Sequence, residues 1–471
     1  MVTKIARKEF IDLVRDGRFR LTASIVLVLL LLSLVAGWQH HRKTRAEQEA
    51  AQHDAREVWL NQGAKDPHNA AHFGTYAYRP QLLPAFVDQG LNDYLGVAIF
   101  LEAHRQNSAD FRPAQDGSAS QRFGQLTAAT VLQLLIPLLI ILLTFAAFAG
   151  EREQGTLRLV LSQGVRRGDL GLGKALGVSA ALGLILIPAA LLGAAALAFG
   201  SADSFSLSLP RLLLMSVVYL LYFVIILALA LGTSAIAPSS TFALILLLGF
   251  WIGNSIVAPR AAADLSKLIV PTPSQTQIAA AIEFDTSHGI DGNAPPAKRF
   301  AELRERVLLQ YGVQRLEDLP INFSGISLQA GEDYADLIQD KNYQTLRDSY
   351  ERQTRIQQKA ALVAPMLAVR SLSMSMAGSD FKHHQHFAAA AESYRREMIR
   401  VLNERLTLDY KRGEETIANR NLWQRIPDFS YQPPDSAWAF TTQWLSGALL
   451  LLWGGMSVLF AAFAINRLRV E

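Results

Sequence analysis

The segment from Gly168 to Ala175, Gly-Asp-Leu-Gly-Leu-Gly-Lys-Ala, is nearly the sequence of a phosphate-binding loop. Such a loop surrounds phosphates with backbone N–H groups, and a Ser or Thr after its lysine holds magnesium. Here Ala175 stands where that hydroxyl is needed, and the following residues are apolar enough to enter a membrane. We therefore expect that this chain binds no ATP and no other cofactor itself.

A second group of candidate residues combines imidazole with thioether. His383, His384 and His386 follow closely after Met374 and Met376, and both kinds of side chain suit copper ions. On a helix, His383 and His386 would share a face. Because no third ligand is fixed by the sequence, we favour a structural role over a metal role and expect no metal site.

Catalytic patterns are missing from the sequence. It contains no Gly-x-Ser-x-Gly elbow, no His-Glu-x-x-His run and no spaced pair of carboxylates. It also contains no cysteine, which excludes a thiolate nucleophile and a disulfide framework. We expect no intrinsic catalytic site.

The composition indicates a membrane protein. Of the 471 residues, 50% are hydrophobic and 18% are charged, whereas a soluble domain carries about 25% charged residues. Six stretches approach the length of about 20 apolar residues that a membrane crossing requires, and none contains Asp, Glu, Lys or Arg. They are residues 21–38, 126–149, 175–199, 212–236, 242–257 and 441–465. The predicted fold class is an all-α polytopic membrane protein with six transmembrane helices.

The distribution of Lys and Arg predicts the orientation, because short cytoplasmic segments carry an excess of them. Basic residues cluster in segment 1–20, in the loop 150–174 and in the tail 466–471. These three segments are expected in the cytoplasm, which gives an N-in/C-in arrangement. The hydrophilic segments 39–125 and 259–440 then form two extracytoplasmic insertions. The net charge of only +4 gives no reason to expect a nucleic-acid partner.

Two segments outside the spans have a helical pattern. Residues 1–20 combine an apolar stripe that includes Phe10 with a basic face that includes Arg15, which is typical of an amphipathic helix in the membrane interface. In the larger insertion, apolar residues recur at the helical period, so this insertion should be helix-rich. They are Phe387, Ala391, Tyr394, Met398, Leu402 and Leu406. Polar residues within the spans are interpreted as interhelical hydrogen-bonding groups rather than the lining of a path. They include Gln133, Thr144, Ser216, Tyr219, Tyr222 and Asn254.

The loop 150–174 carries a distinctive series of residues. It has an acidic and basic cluster, a Gly-Thr-Leu, a Leu-Ser, a basic pair and a Leu-Gly-Lys. The residues are Glu151, Arg152, Glu153, Gly155, Thr156, Leu157, Ser162, Arg166, Arg167, Gly173 and Lys174. This series resembles the first cytoplasmic loop of permease subunits of the ABC type-two exporter family. Many members of that family have Pro before the basic pair, where this chain has Gly164 and Val165.

A second resemblance lies in the larger insertion. The pattern is similar to that of a bacterial subgroup of these permeases with large extracytoplasmic domains of unknown function. It includes Met374, Gly378, Asp380, His383, His384, Phe387, Glu392, Tyr394 and Arg395.

The resemblance implies a function and partners. In the family, the loop carries a coupling helix that docks on a separate ATPase subunit, which holds ATP and magnesium, and segment 1–20 corresponds to an elbow helix. We therefore expect a permease subunit in the bacterial inner membrane, in a homodimer or with a sister permease, for a substrate that the sequence does not identify. Two alternatives remain open: ATP-driven mechanotransmission to a periplasmic partner without transport, and a membrane-anchored scaffold.

Overall fold

The computed structural model describes residues 1–116, 126–199, 202–290, 292, 294–409 and 416–468. It is mostly helical, and six of its helices are long and apolar enough to cross a membrane. They are Gly17–Leu60, Ala128–Glu153, Arg167–Ala198, Phe205–Ile236, Ser240–Ile269 and Trp444–Asn466. We refer to them as spans one to six. The chain is thus a membrane-embedded, predominantly α-helical protein, and residues 469–471 of the expected tail lie outside the described residues.

Several spans extend further than their apolar residues predict. The helix of span one has 44 residues instead of the 18 of segment 21–38, which makes it about 66 Å long. The fifth continues to Ile269, beyond the expected end at 257. The fourth belongs to a helix, Ala202–Ile236, that begins ten residues before the expected start at 212. The reason is that Ala, Glu, Gln and Arg are good helix formers, so a helix continues where its hydropathy falls.

One end of the bundle collects the segments that are rich in Lys and Arg, and we call it the basic end. Helix Val2–Arg15 packs there along the start of span three. Two glycines allow the close approach, because a Cβ added to Gly173 or Gly177 would lie 2.6 Å from side-chain carbons of Ile5 or Glu9. Span six also ends here, where Arg167 donates a hydrogen bond to the carbonyl of Asn466, the last residue of this span.

The opposite end, which we call the domain end, carries the hydrophilic segments. Its helices are Pro67–Phe73, Gln275–His288, Pro296–Tyr311, Phe323–Lys359, Phe381–Leu408, Arg420–Arg425 and Ser436–Thr442, with one helical turn at Pro113–Asp116. The domain end also contains a three-stranded antiparallel sheet, so the fold is not all-α as predicted. Its strands are β1 Thr75–Tyr78, β2 Ala98–Glu102 and β3 Arg105–Gln106. These strands are too short for the sequence to show a clear period of two.

A separate hydrophobic core holds the domain end together. Phe387, Met398 and Leu402 on helix Phe381–Leu408 are buried with Trp59 from the far end of span one and with Trp423. The two indoles meet edge to face, with ring centroids 6.1 Å apart. The 44-residue helix of span one therefore connects the core of the bundle to the core of the domain.

One helix of the large hydrophilic segment lies among the spans. Helix Pro365–Ala377, which we call the inserted helix, packs against spans four and six, and nearly all its residues are buried. The backbone N–H of Met366 donates to Oδ1 of Asn254 at 3.0 Å. Asn254 is 14 residues from Ser240 at the basic end (254 − 240), or about 21 Å along the helix. The inserted helix thus begins beside the middle of span five, which ends at Ile269.

Candidate functional site

The acidic and basic cluster at the end of span two contacts the ends of two other spans. Arg152 donates to the carbonyl oxygens of Ala235 and Ala237 at the end of span four. The carboxylate of Glu153 accepts hydrogen bonds from the backbone N–H and the hydroxyl of Ser240, both at 2.8 Å. A cation at a helix C-terminus and an anion at a helix N-terminus both match the helix dipole. This cluster therefore fixes spans two, four and five relative to one another.

Lys174 adds span three and the N-terminal helix to this junction. Its Nζ lies 2.8 Å from Oε1 of Glu151 and 3.1 Å from Oε2 of Glu9. The Lys174 side chain is 3% exposed, so this is a buried ion triad rather than a surface pair. The former phosphate-loop candidate, residues 168–175, forms the first turns of span three, and its lysine serves as this ionic link.

A short helix, Thr156–Ser162, projects from the junction. We call it the coupling helix, after the element that the family resemblance implies in this loop. Gly155, with φ of +74°, precedes it, and Gly164, with φ of +79°, follows it. Both turns need the left-handed backbone that glycine adopts without strain. The hydroxyl of Thr156 donates to the carbonyl of Glu151 at 3.1 Å. The helix is thus held at a fixed angle to the end of span two.

The coupling helix has one buried and one exposed face. Leu157 is fully buried in the bundle core, while Leu159 is 62% exposed. Arg158, Ser162 and Arg166 are exposed beside Leu159. An exposed leucine among arginines and a serine can dock on another protein by combining an apolar contact with charge pairing.

The remaining predicted residues of this end surround the coupling helix. Arg166 precedes span three, and Arg167 begins it. On the N-terminal helix, Phe10 packs against the bundle core and Arg15 is exposed in the last turn. The apolar stripe and the basic face predicted for this helix are therefore on its two sides.

At the domain end, the predicted motif begins with a sharp turn between two helices. Gly378, with φ of +68°, ends the inserted helix, and the carbonyl of Met374 accepts the backbone N–H of Ser379 at 3.0 Å. Asp380 then caps helix Phe381–Leu408 by accepting the backbone N–H of His383 at 3.0 Å. Burial opposes ionisation of Asp380, but the hydrogen bonds from His383 outweigh it and hold the pKa of this carboxyl below its usual value.

His383 has both ring nitrogens engaged, and so it is not available to a metal ion. Its Nδ1 lies 2.6 Å from Oδ1 of Asp380, and its Nε2 lies 3.3 Å from Nη1 of Arg211. Because a carboxylate only accepts and a guanidinium only donates, Nδ1 carries the proton. His386 contacts the hydroxyl of Tyr431 at 3.0 Å. The ring of His384 lies beside the rings of Phe381 and Phe387, so the three histidines make separate contacts.

The rest of the motif supports the domain. Phe387 is buried in the domain core, and the hydroxyl of Tyr394 donates to the carbonyl of Pro427 at 2.7 Å. Arg395 is buried and donates to Glu392 at 2.8 Å. It also pairs with Asp336 and Glu332 on helix Phe323–Lys359, so it joins the two longest helices of the domain.

The polar residues of the spans make two kinds of hydrogen bond. The hydroxyls of Thr144 and Ser216 donate to carbonyls within their own helices, whereas the other four residues join different helices. Gln133 of span two donates to the hydroxyl of Tyr219 at 3.0 Å, and this hydroxyl is 2.7 Å from that of Ser373 on the inserted helix. Asn254 donates to the hydroxyl of Tyr222 at 3.0 Å. These hydrogen bonds tie the inserted helix to spans two, four and five.

Three histidines that sequence reasoning missed also come together at the domain end. They are His68, His72 and His104. The only signal in the sequence was the spacing of the first two, which places them one turn apart on a helix.

Two family models match the chain. Residues 274–432 match a domain of unknown function, DUF3526. Residues 96–272 match a protein of unknown function, DUF2705. No curated protein matches the chain. The boundary between the two matched regions lies just after Ile269, where span five ends.

Proposed function

We propose that this chain is the permease subunit of an ABC exporter in a bacterial inner membrane. The observation that supports it most is the coupling helix, which is exposed on one face and rigidly attached to four spans and the N-terminal helix. A soluble ATPase can move membrane helices only through such a contact. ATP and magnesium would then belong to the partner subunit, and this chain would transmit the movement.

The proposal includes an orientation. The basic end faces the cytoplasm, since short cytoplasmic segments carry the excess of Lys and Arg. The domain end, with the matched DUF3526 region, then lies in the periplasm. In this arrangement the coupling helix is on the side where ATP is available.

A pair of these chains, or one chain with a sister permease, forms the transporter. Six spans are few for enclosing a pathway, and a two-fold pair is the commonest symmetric solution. Span five supports this arrangement, because only 22% of its most apolar window is buried within the chain, the lowest share of the six. Its uncovered face is available to a second permease.

The continuous helices favour a second candidate function, mechanotransmission. Span one extends without a break from the basic end to Trp59 in the core of the domain. A tilt of this span would move the domain even if no substrate crossed the membrane. The domain would then act on a periplasmic partner.

The decisive test is purification of the tagged protein from its native host in mild detergent, with identification of a copurifying ATPase. Leu159→Asp on the exposed face of the coupling helix and Arg166→Glu in the turn that follows this helix change exposed side chains and remove no buried contact. We expect each to reduce ATPase recovery several-fold. The matched controls are Leu309→Asp, at a residue that is 83% exposed at the domain end, and Arg304→Glu on the same helix. Neither control should change recovery.

The outcomes separate the three functions. If no ATPase copurifies, or if it copurifies equally with both coupling-helix variants, the scaffold becomes the better explanation. If the ATPase depends on the coupling helix, transport is measured in inverted vesicles. Export predicts that ATP-dependent uptake and ATPase stimulation are lost together, whereas mechanotransmission predicts stimulated ATPase activity without uptake.

A further inference from the structure

Three imidazole rings form a cluster at the surface of the domain end. His68 and His72 lie one turn apart on helix Pro67–Phe73, and His104 lies in the tight turn between β2 and β3. Their ring centroids are 4.8, 5.0 and 5.2 Å apart. One nitrogen from each ring lies within 4.8 Å of one from each other ring. Among the described residues, this is the group of three whose possible metal ligands converge.

The hydrogen bond between His68 and Asn403 determines which ring nitrogen of His68 has a lone pair available for a metal ion. Nδ1 of His68 lies 2.9 Å from Oδ1 of Asn403, while Nδ2 of Asn403 donates to Gln329 at 3.0 Å. An amide oxygen only accepts, so Nδ1 of His68 carries the proton and Nε2 keeps its lone pair. This Nε2 is buried and has no hydrogen-bond partner. A buried nitrogen with a free lone pair, beside two other imidazoles, indicates a missing ligand.

His104 is held in the same way. Its Nδ1 lies 2.6 Å from Oε1 of Glu332, which leaves its Nε2 free as well. The backbone N–H of His104 donates to both oxygens of the Glu332 carboxylate at 3.0 Å. These bonds hold a φ of +67° that is rare for a residue with a Cβ. Histidines that bind metals usually donate their second ring N–H to a carboxylate or carbonyl oxygen, as His104 and His68 do here.

We infer that His68, His72 and His104 bind a divalent transition-metal ion, with Zn²⁺ as the best match. Imidazole nitrogens suit zinc, and three protein ligands at about 2.0–2.1 Å leave a fourth position for water. His72 and His104 are exposed, so their side chains can close on the ion while the buried His68 stays in place.

The surroundings assign the ion a role in holding the domain together. The ligands come from the helix and the hairpin of the first hydrophilic segment, while Glu332 and Asn403 belong to the two longest helices of the second. A bound ion therefore joins the helix to the hairpin, and the contacts of His68 with Asn403 and of His104 with Glu332 hold both against the second segment. The helix reads His-Asn-Ala-Ala-His, with Asn69 where a zinc hydrolase of the His-Glu-x-x-His type has its general base. Because the amide of Asn69 cannot act as a general base, the site is better suited to binding an ion than to hydrolysis.

The test uses the full-length chain in detergent, purified with a tag that contains no histidine and stripped with a chelator. Zn²⁺ is then titrated in competition with a chromophoric chelator. We expect one ion per chain, and an affinity reduced by about 100-fold or more in His72→Ala and in His104→Gly. The second variant keeps the left-handed backbone of the turn. His53→Ala, at an exposed histidine on span one, is the matched control and should bind as the unchanged chain does.

Co²⁺ gives a second measurement that does not depend on affinity. Bound by three imidazoles and water, it should show the intense visible absorption of a tetrahedral site, and His72→Ala should lose this absorption. Gel filtration verifies that each variant remains folded. Less than half an ion per chain, or binding that is equal in His72→Ala, His104→Gly and His53→Ala, overturns the inference. The result is independent of whether an ATPase copurifies.

Discussion

Arg211 and His383 connect a membrane span to the large domain. Nη1 of Arg211 lies 3.3 Å from Nε2 of His383, and Arg211 is fully buried. The same guanidinium donates to the carbonyls of Ser375 and Met376 at 3.2 and 3.3 Å. These are among the last carbonyls of the inserted helix, where a cation is favourable. A single arginine therefore closes the inserted helix and holds it against the start of span four.

Arg211→Met should release the end of the inserted helix. The change leaves buried carbonyls without a donor, and hydrogen bonds to charged groups contribute about 1.5–3 kcal/mol each. We expect a loss of roughly 3 kcal/mol in the free energy of unfolding, measured by denaturant titration in detergent. Arg211→Lys should recover only part of it, because an ammonium lacks the planar fork that reaches several acceptors. Arg260→Met, at an exposed arginine of span five, should have little effect, and an equal loss there would contradict the assignment.

Lys174→Met should destabilise the basic end more than removal of the whole ion group. The variant leaves the carboxylates of Glu9 and Glu151, which are 14% and 21% exposed, without a cation. Breaking a fully buried pair costs about 3–5 kcal/mol, and we expect a smaller loss here because both carboxylates keep some contact with solvent. The triple variant Lys174→Met, Glu9→Gln and Glu151→Gln removes all three charges and should recover much of that loss. The measurement is the unfolding free energy of each purified variant. If the triple variant is less stable than Lys174→Met, the ion triad does not dominate this junction.

The orientation can be tested directly because the chain has no cysteine. Single cysteines at Leu309 and Leu159 would mark the domain end and the coupling helix, since both side chains are exposed. In intact spheroplasts, a membrane-impermeant maleimide should label Leu309→Cys. It should label Leu159→Cys only after permeabilisation. The opposite pattern would place the coupling helix outside the cell and rule out an ATP-driven role for it.

The sequence was sufficient to predict where the six spans lie but not the residues at which their helices begin and end. Hydropathy reports where a helix is apolar, and the stretch from Arg42 to Glu57 is polar although it continues the helix of span one. The inserted helix was not expected among the spans. Its 13 residues extend only about 20 Å, which is too short for a membrane crossing, so the length criterion does not detect it. Its position depends on tertiary partners such as Asn254 and Tyr219.

The candidate sites were also predicted only in part from the sequence. The residues proposed for coupling could be selected from the sequence because they lie within 24 consecutive positions, Glu151 to Lys174 (174 − 151 + 1). Glu9 was not assigned to that site, although it completes the Lys174 ion triad. The zinc-site candidates are divided between a helix and a hairpin turn, and the third ligand, His104, is fixed only by its contact with Glu332. Sequence spacing finds contacts within one element, whereas contacts between distant elements require the fold.

His384 should make the domain end sensitive to acid. Burial, with smaller contributions from Arg79 and Arg112, lowers the pKa of His384 to about 4, whereas an unfolded histidine has a pKa near 6.5. The folded-state pKa is depressed, so the neutral form stabilises the fold above pH 6.5. As the pH falls from about 6.5 to 4, the unfolded chain takes up a proton that the folded chain does not. Between pH 7 and pH 5 this costs about 2 kcal/mol.

His384→Gln isolates this contribution, because glutamine fills a similar space without titrating. The unfolding free energies of the unchanged chain and the variant are measured from pH 7 to pH 5, and other titrating groups cancel in the difference. We expect the unchanged chain to lose about 2 kcal/mol more than the variant over this range. Parallel curves would show that His384 is protonated within the fold, and its contacts near Arg79 would then have to rearrange in acid.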